Sequence, residues 1–133
     1  MGLTTDLKAS IGDELETALT NVFPMGTQLE DEPALYCLFG LPSKDIGEID
    51  NKDSKRHVLQ IDVWYNNANQ NMASLDNACD AIEVLFNERT VTETYFFYTG
   101  SLITKQDNLP TTDENTHHVQ FRFDLTYNVY KEQ

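Results

Sequence analysis

The three histidines, Ser74, Ser101 and a short acidic run are the groups considered as bases, nucleophiles or metal ligands. His117 and His118 are adjacent in an alternating segment, so in a strand they point to opposite faces and cannot act together as two ligands of one metal ion. Ser74 and Ser101 could act as nucleophiles, but neither lies in a nucleophile elbow. The acidic run Glu30–Glu32 is more typical of solvated surface than of a general acid and base pair. We therefore expect no catalytic site and no enzyme.

The two cysteines, Cys37 and Cys79, lie in an apolar run and on the apolar stripe of an apparent helix. In a chain without an export signal these positions favour two buried thiols over a disulfide. Their separation does not match the spacing of a metal site. The chain also has neither a phosphate-binding loop nor a dinucleotide fingerprint. We expect no metal and no cofactor.

The composition excludes several classes of partner. The chain has 133 residues and a mass of 15.2 kDa, which is typical of one domain. Its 22 acidic and 9 basic residues give a net charge of -13. A surface that clamps nucleic acid needs clustered basic residues and is not expected, although DNA could slide past this chain. No apolar run approaches the roughly 18 residues of a membrane span, and no signal peptide is visible.

The hydrophobic periodicity predicts the elements that would position any site. Apolar residues three or four apart predict helices at about 5–22 and about 70–87. Apolar runs and alternation predict strands at 34–39, 57–65 and 94–103, with a long C-terminal strand at about 118–130. This order predicts a single α+β domain over residues 1–133, with a small mostly antiparallel sheet and helices packed on one face.

A long mobile loop is predicted between the first two strands, over residues 42–56. The segment is polar and mixed in charge, and loops of this length are usually functional or disordered. Two readings stay open: the loop becomes ordered on contact with a partner, or it is a solvated hairpin tip.

The last strand is long for a domain of this size. Thirteen extended residues span roughly 43 Å, whereas the expected radius of gyration is only about 14 Å. We therefore expect this strand to bend or to project beyond the body. A projecting strand would have unpaired edges that attract a neighbouring chain.

Trp64 stands out on the second strand because it shares a face with Gln60 and Asp62. The opposite face, with Ile61 and Val63, is the expected core side. A large aromatic residue on a polar face either covers a second layer of the same chain or anchors an interface, where Trp is enriched. We favour the interface.

The order of "ALYCLFG", the polar loop, "VLQIDVWYNNANQNMASLDNACDAIEVLF" and the terminal "HHVQFRFDLTYNVY" resembles the tail terminator (tail completion) proteins of long-tailed bacteriophages. The resemblance implies a non-catalytic homo-oligomeric ring, usually a hexamer, that caps the tail tube at the tail-head junction of the virion. Its implied partners are the tail tube protein and the head connector or head-closure protein. DNA would pass through without specific binding, and the protein would be made in the host cytoplasm.

If the resemblance holds, function lies on edges and loops that contact other subunits rather than at a catalytic centre. The expected contact residues are Trp64, Lys44, Asp45, Glu48, Asp50, Asp53, Arg56 and Arg122. Two alternatives stay open. One is another neck component, such as a head-closure or connector adaptor protein, and the other is a small-ligand-binding module.

Overall fold

The computed structural model describes residues 3–44, 54–66, 72–107, 109–111 and 115–129. Within these ranges the chain forms two helices and six strands. In chain order they are α1 (Leu3–Leu15), β1 (Val22–Pro24), β2 (Leu35–Lys44), β3 (Ser54–Asn66), α2 (Ala73–Phe86), β4 (Arg89–Thr92), β5 (Phe96–Gln106) and β6 (Thr116–Val129). The strands form one sheet in the order β1-β2-β3-β6-β5-β4. The β1–β2 pair is parallel, and the other pairs are antiparallel.

The predicted fold class, α+β with a small mostly antiparallel sheet and helices packed on one face, is wrong. Among the described residues, strands make up 50% and helices 24%, and the strands form a single six-stranded, mixed and curled sheet. The prediction missed β1 and β4. Strands of three and four residues are too short to show an alternating pattern, so pairing with a neighbour defines them instead.

The predicted boundaries differ from the observed ones at two places. The first helix was expected to reach about residue 22, but α1 ends at Leu15 and β1 begins at Val22. Part of the predicted loop at 42–56 is strand, because β2 continues to Lys44 and β3 begins at Ser54. Residues 45–53 of that loop lie outside the described part of the chain. Pairing with β3 thus extends β2 through its proline, with a register shift between Gly40 and Ser43.

β6 lies inside the sheet and does not project from it. It pairs with β3 from Thr116 opposite Asn66 to Asn128 opposite Ser54. On its other side it pairs with β5 as far as Val129. The expectation of a projecting strand with unpaired edges is therefore wrong, because β3 pairs with β6 along almost its whole length and β5 pairs with it from Gln120 to Val129.

The core lies on one face of the sheet, where alternate residues of β3 and β6 meet. The inward residues of these strands are Leu59, Ile61, Val63, Val119, Phe121, Phe123 and Leu125, all buried. Leu7, Ile11 and Leu15 of α1 and Leu75, Ile82 and Phe86 of α2 belong to the same cluster. Burying each large apolar side chain stabilises the fold by about 1.5–3 kcal/mol, so this cluster is the main stabilising element. Neither of the described helices is long and apolar enough to cross a membrane.

Gly100 of β5 marks the closest approach of α2 to the sheet. A Cβ atom at this position would lie 2.1 Å from the carbonyl oxygen of Phe86, which is backbone and cannot swing aside. The Phe86 ring is buried, with its centroid 5.6 Å from that of Phe123. The amide of Glu88 donates to the Gly100 carbonyl oxygen at 2.8 Å. The end of α2 is therefore seated directly on the backbone of β5.

We expect Gly100→Ala to lower the free energy of unfolding by about 2–3 kcal/mol, because the new methyl group forces α2 away from the sheet. Urea denaturation followed by circular dichroism would measure this. Ser101→Ala is the matched control, since Ser101 is the next residue of β5 and its side chain is exposed. Equal stability of the two variants would contradict the close seating of α2.

Both cysteines are free and buried, Cys37 on β2 and Cys79 on α2, which confirms the predicted thiols. Burial raises the pKa of each thiol to about 12. The folded chain therefore holds these protons more tightly than the unfolded chain. The contribution of the thiols to stability is complete at neutral pH and is lost as the pH rises above 9.0 toward about 12.

At about pH 8 neither native thiol should react appreciably with dithionitrobenzoate, because the reagent needs an accessible thiolate. Addition of urea should release two reactive thiols per chain. The absorbance of the released thiolate measures both states. Rapid reaction of either cysteine in the native protein would show that its side chain is not sealed in the core.

Candidate functional site

The outer face of the sheet, opposite the core, carries an aromatic row across three strands. The strand register places Tyr36 of β2 opposite Trp64 of β3, and Trp64 opposite His118 of β6. The indole ring of Trp64 stacks on the imidazole of His118, with 3.8 Å between ring centroids and 13° between planes. Cross-strand pairs of this kind stabilise a sheet locally and fix the orientation of the rings.

Asp62 holds this row in place from two residues away on the same face of β3. Its Oδ1 accepts hydrogen bonds from His118 Nε2 at 2.7 Å and from Gln120 Nε2 at 3.0 Å. Its Oδ2 accepts a third from Gln60 Nε2 at 3.0 Å. The side chains of Asp62 and His118 are only 12% and 13% exposed, so the carboxylate depends on these donors. Because Nε2 of His118 is the donor, the bond also sets the orientation of the ring under Trp64.

Trp64 and Tyr36 line a groove of about 850 Å³ on this face. The other lining residues are Glu32, Pro33, Ala34, Leu38, Tyr65, Asn66, Pro110, Thr111 and Thr116. None of these described lining residues is a Lys or an Arg. Glu32 continues the exposed acidic pair Glu30 and Asp31. The groove therefore combines aromatic walls with negative charge.

The charge of Glu32 acts on the phenol of Tyr36. Burial raises the pKa of Tyr36, and the carboxylate of Glu32 raises it further. The phenol therefore stays neutral and remains a hydrogen-bond donor at physiological pH. Glu32 and Tyr36 both line the groove, so the negative charge of the carboxylate lies beside the phenol.

The predicted contact residues that the structure describes lie at separate places on the sheet. Trp64 lies in the groove, whereas Arg56 lies eight residues earlier on β3, about 26 Å away along an extended strand. Arg56 is paired with Asp124, with 3.3 Å between Nε and Oδ1. Arg122 is exposed opposite Gln60 on the same outer face. Lys44 ends β2, and Asp45, Glu48, Asp50 and Asp53 lie outside the described residues.

The histidines are distributed between the two faces. His118 is on the outer face, and His117 lies opposite Tyr65, which is part of the core. His57 is buried, with Nε2 3.2 Å from the hydroxyl of Tyr127 and the two rings stacked. Among the described residues, no group of three His, Cys, Asp or Glu side chains could hold a metal ion.

The sequence analysis identified Trp64 but missed its partners Tyr36, Asp62 and His118 as parts of one structure. Asp62 and His118 are 56 residues apart, and only the register of β3 against β6 brings them together. A signal was present, since both strands carry polar residues capable of hydrogen bonding at alternate positions on their outer face. Matching those two polar rows would have required the register to be known.

No protein-family model matches the chain, and no curated protein matches it either. Several solved structures share its fold, including two that align over almost the whole chain. A chain in the virion of a native gene transfer agent (GTA) particle aligns with a TM-score of 0.68 and 13% identity, covering 96% of this chain and 99% of that one. A second solved structure aligns with a TM-score of 0.58 and 18% identity over 99% of both chains. At these identities the likeness shows the fold alone.

We expect Asp62→Ala to lower the free energy of unfolding by about 1–3 kcal/mol, because it leaves three side-chain donors without their acceptor. Asp124→Ala is the control: it removes the same charge from the same face, but its partner Arg56 remains partly solvated. Urea denaturation of both variants at one ionic strength separates the two effects. A larger loss for Asp124→Ala would show that Asp62 does not support the outer face.

Proposed function

We propose that this chain is a non-catalytic structural subunit of a phage-like particle. The observation that carries the proposal is the fold shared with a chain of the GTA virion, over 96% of this chain and 99% of that one. Almost complete coverage of both chains means that the likeness extends over the domain as a whole. The resemblance of the sequence pattern to phage tail terminators supports the same class independently.

Within that class, the proposed role is that of a tail terminator. The chain would form a ring, a hexamer as in the family it resembles, at the junction between tail and head of the virion. The ring would cap the tail tube and bind the head connector or the head-closure protein. A net charge of -13 per subunit supports a channel that DNA crosses without binding, because the phosphates find no clustered cations.

The same charge makes assembly dependent on ionic strength. Like-charged subunits repel each other, and the screening length falls from about 30 Å at 0.01 M salt to about 10 Å at 0.1 M. Light scattering across this range should show monomers at low salt and a ring at higher salt or on purified tail tubes. A strict monomer under every condition, including with tail tubes, would contradict the ring. Binding to connectors but not to tubes would favour another neck component.

Trp64 provides the variant for this test. Trp64→Ala should weaken assembly by about 2 kcal/mol or more if the indole anchors a contact between subunits or with a neighbour. The control is Val84→Ala, which shortens an exposed hydrophobic side chain on α2. Ring yield and thermal melting should be measured on the same samples. A fall in melting temperature for Trp64→Ala, without a separate loss of assembly in the folded fraction, would assign Trp64 to packing within the subunit.

The groove favours one further candidate, a small-ligand-binding module. Its volume of about 850 Å³ is within the range of about 300–1,000 Å³ that is typical of ligand sites. A monomer that binds a small molecule in the groove and associates with neither tail tubes nor connectors would support this candidate over the structural role.

A further inference from the structure

We propose that the outer-face groove binds a positively charged Arg or Lys side chain presented by a segment of a partner polypeptide. The proposal goes beyond a structural role in a particle, and it does not require ring formation. The groove is on the surface of the free chain, so its ligand preference is measurable on the chain alone.

The aromatic residues of the groove supply the first attraction. Trp64 and Tyr36 are paired across β2 and β3, and both line the groove. The faces of indole and phenol rings carry negative electrostatic potential and attract ammonium and guanidinium groups, with Trp the strongest of the aromatic residues. Arg is favoured over Lys, because its flat guanidinium stacks on a ring while its edge still donates hydrogen bonds.

The carboxylate of Glu32 supplies the second attraction. It lies in the groove lining with the two rings, and its effect on the pKa of Tyr36 places its field within the groove. At the far strand ends, Asn66 donates its amide to the hydroxyl of Thr116 at 3.0 Å, which leaves the amide oxygen as an acceptor. A cation in the groove would thus meet rings, a carboxylate and a polar oxygen, and none of the described lining residues is a Lys or an Arg that would oppose it.

The charge of the whole chain decides between classes of partner. At -13, the chain repels nucleic acid and anionic membrane surfaces, and a second copy of the same net charge is opposed as well. A basic polypeptide segment is attracted at long range and meets the exposed acids Glu30 and Asp31 before it reaches Glu32. Charge complementarity therefore favours a cationic protein segment as the occupant.

The groove is organised before any ligand arrives. Trp64 is stacked on His118, and His118 is held by Asp62, which Gln60 and Gln120 also bind. Pro33 and Pro110 restrict the backbone of two lining segments. A ring that is already fixed loses little conformational freedom on binding, and this makes a weak single-residue contact more effective.

The test uses tryptophan fluorescence, because Trp64 is the only tryptophan of the chain. The probe is the blocked tripeptide acetyl-Gly-Arg-Gly-amide, and its control contains citrulline, which has the same shape without the charge. We expect a saturable change in emission with the Arg peptide and binding at least about fivefold weaker with citrulline. Added salt should weaken the binding of the Arg peptide and leave the binding of the citrulline peptide unchanged. Equal responses to both peptides, or no saturation by about 10 mM, would overturn the proposal.

Matched variants locate the binding in the groove. Glu32→Gln should raise the Kd of the Arg peptide about fivefold, whereas Glu30→Gln, an equal change of charge outside the lining, should change it less than about twofold. Tyr36→Leu should weaken binding, and Tyr36→Phe, which keeps the ring, should retain it. Circular dichroism checks that each variant is folded. Equal effects of Glu32→Gln and Glu30→Gln would reduce the interaction to unspecific attraction by the acidic surface and would contradict the site.

Discussion

The antiparallel pairing of β3 with β6 is the interaction on which the rest of this structure depends. Its register runs from Ser54 opposite Asn128 to Asn66 opposite Thr116 and fixes both faces of the sheet at once. If the register of β3 against β6 shifted by one residue, Leu59 and Ile61 would face solvent and Asp62 would face the core. The hydrophobic cluster below the sheet and the hydrogen bonds above it therefore select the same register. Each face reinforces the arrangement of the other.

The outer face differs from an ordinary solvated sheet surface because its polar groups are connected. Asp62 is bound by donors from two strands, and through His118 it supports the only large aromatic ring of β3 on that side. A carboxylate that was merely solvated would leave the ring free to move. His118 is engaged on both sides, since its Nε2 donates to Asp62 and its ring stacks on Trp64. The result is a fixed surface of rings and hydrogen-bonded polar groups.

The parts of the fold that depend on local periodicity could be read from the sequence, and those that depend on pairing could not. Alternation along β3 and β6 predicts the buried side chains, such as Ile61 and Val119, because each residue's face follows from its position in the strand. β1 and β4 were not predicted, because three or four residues are too few to show an alternating hydrophobic pattern. The position of β6 inside the sheet was not predicted either, because strand order depends on the whole sheet and not on the sequence of one strand. For the groove, Trp64 was visible by its type, but its neighbours required the register of three strands.

The two edges of the sheet, β1 and β4, are protected against pairing with another chain in different ways. At one edge, β1 is three residues long and ends in Pro24, which has no N–H group to offer to an added strand. At the other edge, β4 pairs with β5 only from Phe97 to Gly100. Beyond that pairing, the amide of Leu102 donates a hydrogen bond to Oδ1 of Asn87. Addition of a strand from another chain is thus disfavoured at both edges. A protein with edges of this kind resists edge-to-edge aggregation when its local concentration is high.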